Sequence, residues 1–372
     1  MSEDKINILH IDTEKTWRGG EAQAFSLCKG LASGEFRPLI LAQPDSPLSG
    51  RMKEQGLDIL EMNMKGEFDL ASAYRISRII RKRNIRLIHT HDAHAHTLAW
   101  IATVRRPDVP VIVSRRVDFS VGGNFISSRK YHSPRVHYIA ISRGVRDILM
   151  SGGVPKDRID IVFSGIHHDK FSGDHNGDGF RKDIGVNPDE ILIGNIGALT
   201  DHKGHKYLID AAPKVIEKIP DVRFIIVGKG ELRNFLEKRI RDNGLQNRVI
   251  LTGYRDDIGD CLKALDLFAL SSHLEGLCTS ILDAMLMKVP VVATRTGGVP
   301  DAVIHKETGL LAEPKNPGAL ADAIIKLLEN EQWREEFTEA AYRRVMQYFT
   351  VEKMVEGTKA VYRKILRNGR SS

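Results

Sequence analysis

Short apolar runs rich in branched side chains punctuate the first half of the chain: INILHI (6–11), RPLILA (37–42), LDILEM (57–62), IRLIHT (85–90), VPVIVS (109–114), HYIAIS (137–142) and IDIVFS (159–164). Between most of them apolar residues recur every three or four positions, as in EAQAFSLCKGLA (21–32), where Ala22, Phe25, Leu27 and Leu31 fall near one helical face. The short runs read as buried strands and the 3.6-residue period as helices; their alternation predicts a parallel sheet covered on both sides. The pattern lapses in FSGDHNGDGFRKDIGVNPDE (171–190), which is rich in Gly, Asp and Asn, so a linker is predicted there. It resumes with EILIGNIGA (190–198), VRFIIVG (222–228), RVILTGY (248–254), LDLFALS (265–271) and VPVVAT (289–294). Three helical segments close the chain, the last being TVEKMVEGTKAVYRKILRN (350–368).

The expected fold is α/β, with two Rossmann-like doubly wound domains facing a cleft. The first spans residues 1–172, a linker 173–188, the second domain 189–345 and a terminal helix 346–372. Sheets of this kind bind ligands beyond the carboxyl ends of their strands.

A length of 372 residues suits two cores, and 42% hydrophobic with 28% charged residues is the composition of a folded protein. The start, MSEDKINILHID, carries acids where a secretion leader is basic, and no apolar run approaches the roughly 18–20 residues of a membrane helix. Cys28, Cys261 and Cys278 are widely spaced, which fits reduced thiols in a cytoplasm better than disulfides or zinc. A cytoplasmic protein, soluble or peripheral to the inner face of the membrane, is expected.

Charge changes this picture in one place. The net +7 lies wholly in residues 1–170, and within them residues 71–146 hold 15 basic and 3 acidic side chains, including RISRIIRKRNIR (75–86). A solvated helix face explains one such run; a surplus this concentrated points to an anionic surface or substrate, and contact with an anionic membrane is expected. Nucleic acid is not, because the chain has no RRM, KH or helix-turn-helix signature and its aromatics do not interleave with the basic residues.

The densest candidate chemistry is SSHLEGLCTSILDAMLMKVPVVATRTGGVPD (271–301), a strand end, a loop and a helix with the apolar stripe Leu277, Ile281, Leu282 and Met285. The first-turn amides after Gly276 lack intrahelical acceptors and share the positive end of the helix dipole, so that end can hold a phosphate. Asp283 lies about two turns further on, roughly 9 Å along the axis. There it can accept hydrogen bonds from hydroxyls of the same ligand, and Glu275 can do so on the other side. From spacing alone, a capping acid and a solvated helix residue explain the two carboxylates as well.

The span Leu267–Val303 resembles the donor-binding region of family 4 glycosyltransferases, retaining enzymes of the two-Rossmann GT-B architecture. There a Glu is followed, after seven residues, by a second Glu; here the pattern reads EGLCTSILDAMLMKVPVVA, with Asp283 in the second place. The resemblance implies that Glu275 contacts donor-sugar hydroxyls and Asp283 the ribose; the helix terminus leaves the backbone at Gly276, Leu277, Cys278 and Thr279 to meet the diphosphate. Gly297, Gly298 and Asp301 match the G-G-x-P-E that follows, again with Asp for Glu. GALTDHKGHKYLIDA (197–211) resembles the family's phosphate clamp: Lys203 matches its lysine, whereas Ala198 stands at the usual arginine position, leaving His202 or a first-domain arginine to replace it. WRGGEAQ (17–23) resembles the G-G-x-E loop, in which Gly19 and Gly20 bring backbone to the donor phosphates; a turn needing glycine flexibility is an equal reading. VFSGIHHDKF (162–171) stands where relatives carry a G-V-D-x-x-x-F linker, and the terminal helix is implied to return to the first domain.

Four histidines and an aspartate in HTHDAHAH (89–96) raise the alternative of a zinc hydrolase. Asp92 comes one residue early for the H-x-H-x-D-H motif, and no later cluster supplies further ligands. The family carries H-x-H at this strand end, which implies that His91 contacts the donor sugar. The chain has no D-x-D triplet, so a metal-independent reaction without a cofactor is expected, with Lys203 and the helix terminus meeting the departing charge. The reading is a retaining glycosyltransferase with Glu275, Lys203 and His91 as its catalytic residues. It would move a sugar from a nucleotide diphosphate sugar to an acceptor hydroxyl on a cell-envelope glycan, lipopolysaccharide or lipid-linked acceptor. A nucleotide-sugar epimerase of the same fold, or a degenerate member that binds donor without turnover, would fit the same motifs.

Overall fold

The computed structural model describes residues 5–116 and 125–368. The chain forms two compact units, one made of the residues up to Gly165 together with those from Val351, the other of Ile166–Thr350.

The first unit carries strands β1 (Ile6–Ile11), β2 (Phe36–Ala42), β3 (Ile59–Glu61), β4 (Leu87–Thr90), β5 (Val111–Arg115), β6 (Val136–Ala140) and β7 (Ile159–Ile161). Helices α1 (Gly19–Ala32), α2 (Pro47–Glu54), α3 (Leu70–Lys82), α4 (Ala93–Ala102), α5 (Phe125–Tyr131) and α6 (Arg143–Ser151) connect successive strands. All strand pairs are parallel, in the order β3-β2-β1-β4-β5-β6-β7. The order reverses between β1 and β4, which puts the loops after these two strands at the switch point where such sheets take ligands. In α1 the buried stripe is Ala24, Leu27, Cys28 and Leu31, with Ala22 and Phe25 half-buried at its edge.

The second unit repeats the plan with β8 (Ile191–Ile196), β9 (Val222–Val227), β10 (Val249–Gly253), β11 (Leu267–Leu270), β12 (Val291–Thr294) and β13 (Leu310–Ala312), in the order β10-β9-β8-β11-β12-β13. Its helices are α7 (Gly177–Asp183), α8 (His205–Lys218), α9 (Arg233–Asp242), α10 (Ile258–Ala264), α11 (Thr279–Leu286), α12 (Val299–Ala302), α13 (Pro317–Leu328) and α14 (Glu331–Tyr348). The three residues of β13 are too few to register as an apolar run in the sequence. The core of this unit gathers Phe224, Leu208, Ile209 and Val215 with Ile324 and Leu327 of α13.

The linker expected at 173–188 is instead part of the second unit, and the boundary falls at Gly165/Ile166. Its polar composition hides three anchors. A Cβ at Gly177 would run into the backbone of Lys263 and Ala264, so only glycine lets α7 approach α10 this closely. Phe180 is buried, and the Arg181 guanidinium donates to the carbonyls of Ala264 and Glu190 while pairing with Asp266 at 2.6 Å.

The last helix, α15 (Val351–Asn368), belongs to the first unit. Its Val355, Tyr362 and Ile365 join Ile8, Leu31, Phe36 and Leu87 in one core, and Gly30 of α1 leaves the space that Val355 fills. No helix among the described residues is long and apolar enough to cross a membrane.

Candidate active site

In the second unit, β8 and β11 are neighbours at the switch point, and the loops leaving their carboxyl ends are tied together by charge. Lys203 Nζ lies 2.6 Å from Glu275 Oε1, and Ser272 Oγ donates to the same oxygen at 2.8 Å. Glu275 is buried and Lys203 largely so. A buried carboxylate with an ammonium and a hydroxyl on one oxygen is held in one orientation, since losing either partner would leave charge unpaired in a poorly solvated place. The backbone continues the tie, His273 N donating to the His202 carbonyl at 2.9 Å and Gly298 N to the Glu275 carbonyl at 3.1 Å.

Gly204 makes the Lys203 loop possible. Its φ of +63° is left-handed, and a Cβ there would collide with the Ser271 carbonyl, so both conformation and space require glycine. Directly after Glu275 the chain passes through Gly276, Leu277 and Cys278 into α11, whose N-cap, Cys278, makes no side-chain cap. The terminus of an eight-residue helix therefore stands beside the Lys203–Glu275 pair without a side-chain cap, the Cys278 thiol lying 3.1 Å from Ser280 Oγ. Burial raises the Cys278 thiol above its ordinary pKa, so the sulfur stays neutral.

Asp283 is buried on α11, with Oδ2 2.7 Å from Lys170 Nζ and Oδ1 without a partner. Burial raises its carboxyl above the usual range, and the Lys170 ammonium opposes that shift. One acceptor oxygen is thus committed to a lysine and the other is buried without a partner. Ala198, at the position where the clamp would have arginine, offers its carbonyl to His205 Nε2 at 3.1 Å, and His202 Nδ1 lies 3.2 Å from Thr200 Oγ1. Asp301 is buried in the short helix α12. Gly228 and Gly230 of the G-x-G after β9 back directly onto the carbonyls of Gly197 and Leu199, which explains both glycines by packing.

In the first unit the corresponding loops follow β1 and β4. Register sets His10 opposite His89, and the two-residue period of β4 puts His89 and His91 on one side. His10 Nδ1 and His91 Nε2 are 3.0 Å apart, with the rings stacked at 11°, and Arg116 Nη2 donates to His91 Nδ1 at 3.1 Å. The guanidinium can only donate, so His91 carries its proton on Nε2 and passes it toward His10 Nδ1. His89 is bound at both nitrogens, to Tyr362 OH at 2.6 Å and Ser114 Oγ at 2.8 Å. Burial holds all three imidazoles neutral, His10 down to about 3.

The histidine tract does not gather its four histidines and Asp92 into one ligand set. His96 points instead toward Tyr131 and Tyr138. Asp92 caps α4 through Ala95 N (2.7 Å) and holds Thr13 through both N (2.7 Å) and Oγ1 (2.8 Å). The ligating atoms of His10, His89 and His91 do lie within 4.8 Å of one another. His10 Nε2 has no partner, but a cation on all three would have to take one nitrogen of His89 from Tyr362 or Ser114 and one of His91 from His10 or Arg116, and sit beside a buried guanidinium. Asp12, just past β1, is pushed up to about 8 by burial and the nearby Asp92 carboxylate, so it stands protonated at neutral pH.

Neither Gly19 nor Gly20 has a positive φ, so the turn does not require them. A Cβ on Gly19 would meet nothing within 4 Å, and one on Gly20 only Arg116 Cδ at 3.8 Å. What the two glycines leave is bare backbone at the start of α1. The structure thus joins Lys203 to Glu275 beside Gly276–Thr279, puts Asp283 further along α11, and sets His91 in a separate network in the other unit. Sequence reasoning missed Ser272, Lys170, His10 and Arg116. Only Lys170 left a signal, as the basic residue before Phe171 in the GIHHDKF stretch.

Two family models match the chain: Glycosyltransferase Family 4 over residues 17–170 and Glycosyl transferases group 1 over residues 178–344. The UDP-Gal:alpha-D-GlcNAc-diphosphoundecaprenol alpha-1,3-galactosyltransferase of Escherichia coli is 25% identical, covering 96% of this chain and 97% of its own. The N-acetyl-alpha-D-glucosaminyl L-malate synthase of Bacillus anthracis is 24% identical over 82% of this chain and 81% of its own. Among solved structures, Anabaena HepE in complex with UDP superposes with a TM-score of 0.86 at 21% identity, covering 96% of this chain and 100% of that one.

Proposed function

The chain belongs to the family 4 glycosyltransferases with the GT-B fold, and from that premise we propose that it transfers a sugar from a UDP-sugar, with retention and without a metal, to a hydroxyl of a cell-envelope or lipid-linked acceptor. The observation that carries the reading is the Lys203–Glu275 pair beside the uncapped start of α11. As the glycosidic bond breaks, charge grows on the diphosphate. Lys203 and the amides of Gly276–Thr279 would neutralise it in place of a divalent ion. Glu275, fixed by Ser272 as well as Lys203, would accept hydrogen bonds from the sugar hydroxyls, and the buried, unpartnered Oδ1 of Asp283 one from the ribose once the ligand reaches it. With no side-chain nucleophile assigned, attack from the leaving-group face with a diphosphate oxygen as base accounts for retention.

In the first unit, Gly19 and Gly20 would offer backbone to the donor phosphates. His91 would act with His10 and Arg116 attached, since contact with a sugar through its ring nitrogens means releasing one of them. The name of the Escherichia coli relative and the UDP bound to HepE support the uridine donor. Three buried free thiols fit a reducing, cytoplasmic compartment.

Thermal shift against UDP, GDP, ADP, CDP and dTDP and their sugars, with EDTA present, tests the donor site. UDP compounds are expected to raise the melting temperature by mass action, and Lys203→Ala to remove most of that rise. No shift from any nucleotide, or loss of stability in EDTA alone, would overturn the reading. Proton NMR of the product anomer tests retention.

A further inference from the structure

Asp283 is a costly residue for the fold. Its neighbours on α11, Ile281, Leu282, Ala284 and Met285, are buried and apolar, and its own side chain is 11% exposed. An apolar residue of similar size would serve stability as well or better, because a buried ion pair returns little beyond its desolvation. Oδ1 adds to that cost, since a buried acceptor without a donor loses its hydration and gains no bond. The carboxylate is therefore kept for something other than stability.

Its one partner comes from outside the helix. Lys170 Nζ lies 2.7 Å from Oδ2 and 4.9 Å from the centre of the Phe171 ring, which meets the His175 ring edge-on, centroids 5.9 Å apart. The ammonium is thus held by a carboxylate and an aromatic face, although its side chain is 44% exposed. A solvated pair without function would match two exposed groups, as Lys288 and Glu339 are matched at 2.8 Å. Burial favours the neutral carboxyl of Asp283, and Lys170 favours the carboxylate. Among the described residues no other charge acts on it: Glu275 and Lys203 act on Cys278 at the start of α11, β11 and β12 carry no charged side chain, and Lys288 pairs with α14 past the helix end.

We propose that Lys170 is the positioning residue of the ribose contact: it holds one oxygen of Asp283 and leaves the other to accept from a ribose hydroxyl, so that the donor site selects ribonucleotides over deoxynucleotides. A carboxylate accepts on both oxygens at once, whereas a protonated carboxyl gives up part of that capacity to its own O–H. The inference rests on the donor reading of Glu275 and α11, and goes beyond it in assigning Lys170 and the pentose that the site prefers.

Calorimetry with UDP and 2′,3′-dideoxy-UDP, from about pH 6.5 to 8.5, tests it. The two nucleotides share a base and a diphosphate, so the titrations of those groups cancel in the ratio of affinities. The parent is expected to prefer UDP by about tenfold or more at every pH, because hydrogen bonds to a charged acceptor are the strong ones. In Lys170→Met the preference should shrink to about threefold at the acid end and recover as pH rises, since Asp283 without the ammonium stays protonated to higher pH. Lys170→Arg should restore the level profile. Lys170→Met with Asp283→Asn strands no buried charge, which keeps the test open where the single variant unfolds, and should show little preference at any pH. A preference unchanged by Lys170→Met, or lost equally at every pH and not restored by arginine, would overturn the proposal, as would a double variant that keeps the parent's ratio. A parent that binds no UDP would overturn the donor reading itself, and this inference with it.

Discussion

The two units use one sheet plan, and at the switch point of each a side chain from the first loop is tied to one from the loop opposite. In the first unit Thr13 is tied to Asp92, and His10 to His91; in the second, Lys203 is tied to Glu275. What differs is how the following helix begins. Asp92 is both the tie and the N-cap of α4, so its carboxylate already occupies the positive end of that helix. Glu275 stands three residues ahead of Cys278, which caps nothing, and its charge is answered by a lysine. The same topology therefore yields one closed terminus and one able to receive an anion. Whether a strand end stores stability or binds ligand depends on where the carboxylate falls relative to the N-cap.

Lys203→Ala would break this comparison most severely. It removes the cation proposed to meet the leaving diphosphate and strands the buried Glu275, and kcat/KM is expected to fall about 100- to 1000-fold. Activity within about threefold of the parent in a donor-saturation assay would mean that leaving-group charge is met elsewhere. Asp92→Ala strips the cap from α4 together with the bonds to Thr13. It should cost about 2 kcal/mol in urea denaturation and leave the UDP-induced thermal shift intact. Cys278→Ser sharpens the contrast by giving α11 the kind of cap α4 has. A hydroxyl on the first-turn amides should add roughly 0.5 kcal/mol of stability while weakening UDP about threefold by calorimetry. Tighter UDP binding would argue against phosphate at that terminus.

A further difference is one of pH, and it needs no substitution. His10, His89, His91 and His96 are held neutral by burial but titrate near 6.5 when unfolded. Below that pH the unfolded chain binds the extra protons, so their contribution is complete above about 6.5 and is lost as pH falls. Asp12, raised to about 8, acts in reverse: it stays protonated in the fold while the unfolded carboxyl ionises near 3.9, so its contribution declines as pH rises toward 8. Four imidazoles outweigh one carboxyl below about 6.5. Stability should climb from about pH 5 to 6.5, by up to ~1 kcal/mol per pH unit for each imidazole, and then decline gently to about pH 8. A flat profile would show that the histidine network is not buried in solution.

The strands, their parallel pairing and the helices between them follow from short branched runs alternating with a 3.6-residue period, because each piece must bury one or both faces locally. The same holds for Gly204 and Lys203 and for the order Glu275, Gly276, α11, since neighbours in sequence there remain neighbours in space. Other features depend on residues far apart in the chain. Lys170 reaches Asp283 from 113 positions away, and His10 reaches His91 from 81. The stretch read as a linker became α7 because Gly177 and Arg181 found the backbone at the end of α10, a partner no local pattern announces. Sequence determined which side chains stand at strand ends. Tertiary structure alone decided which carboxylate would cap a helix, which would be paired to a lysine, and which histidines would commit their nitrogens to one another, because burial and distance, rather than residue type, set those partnerships.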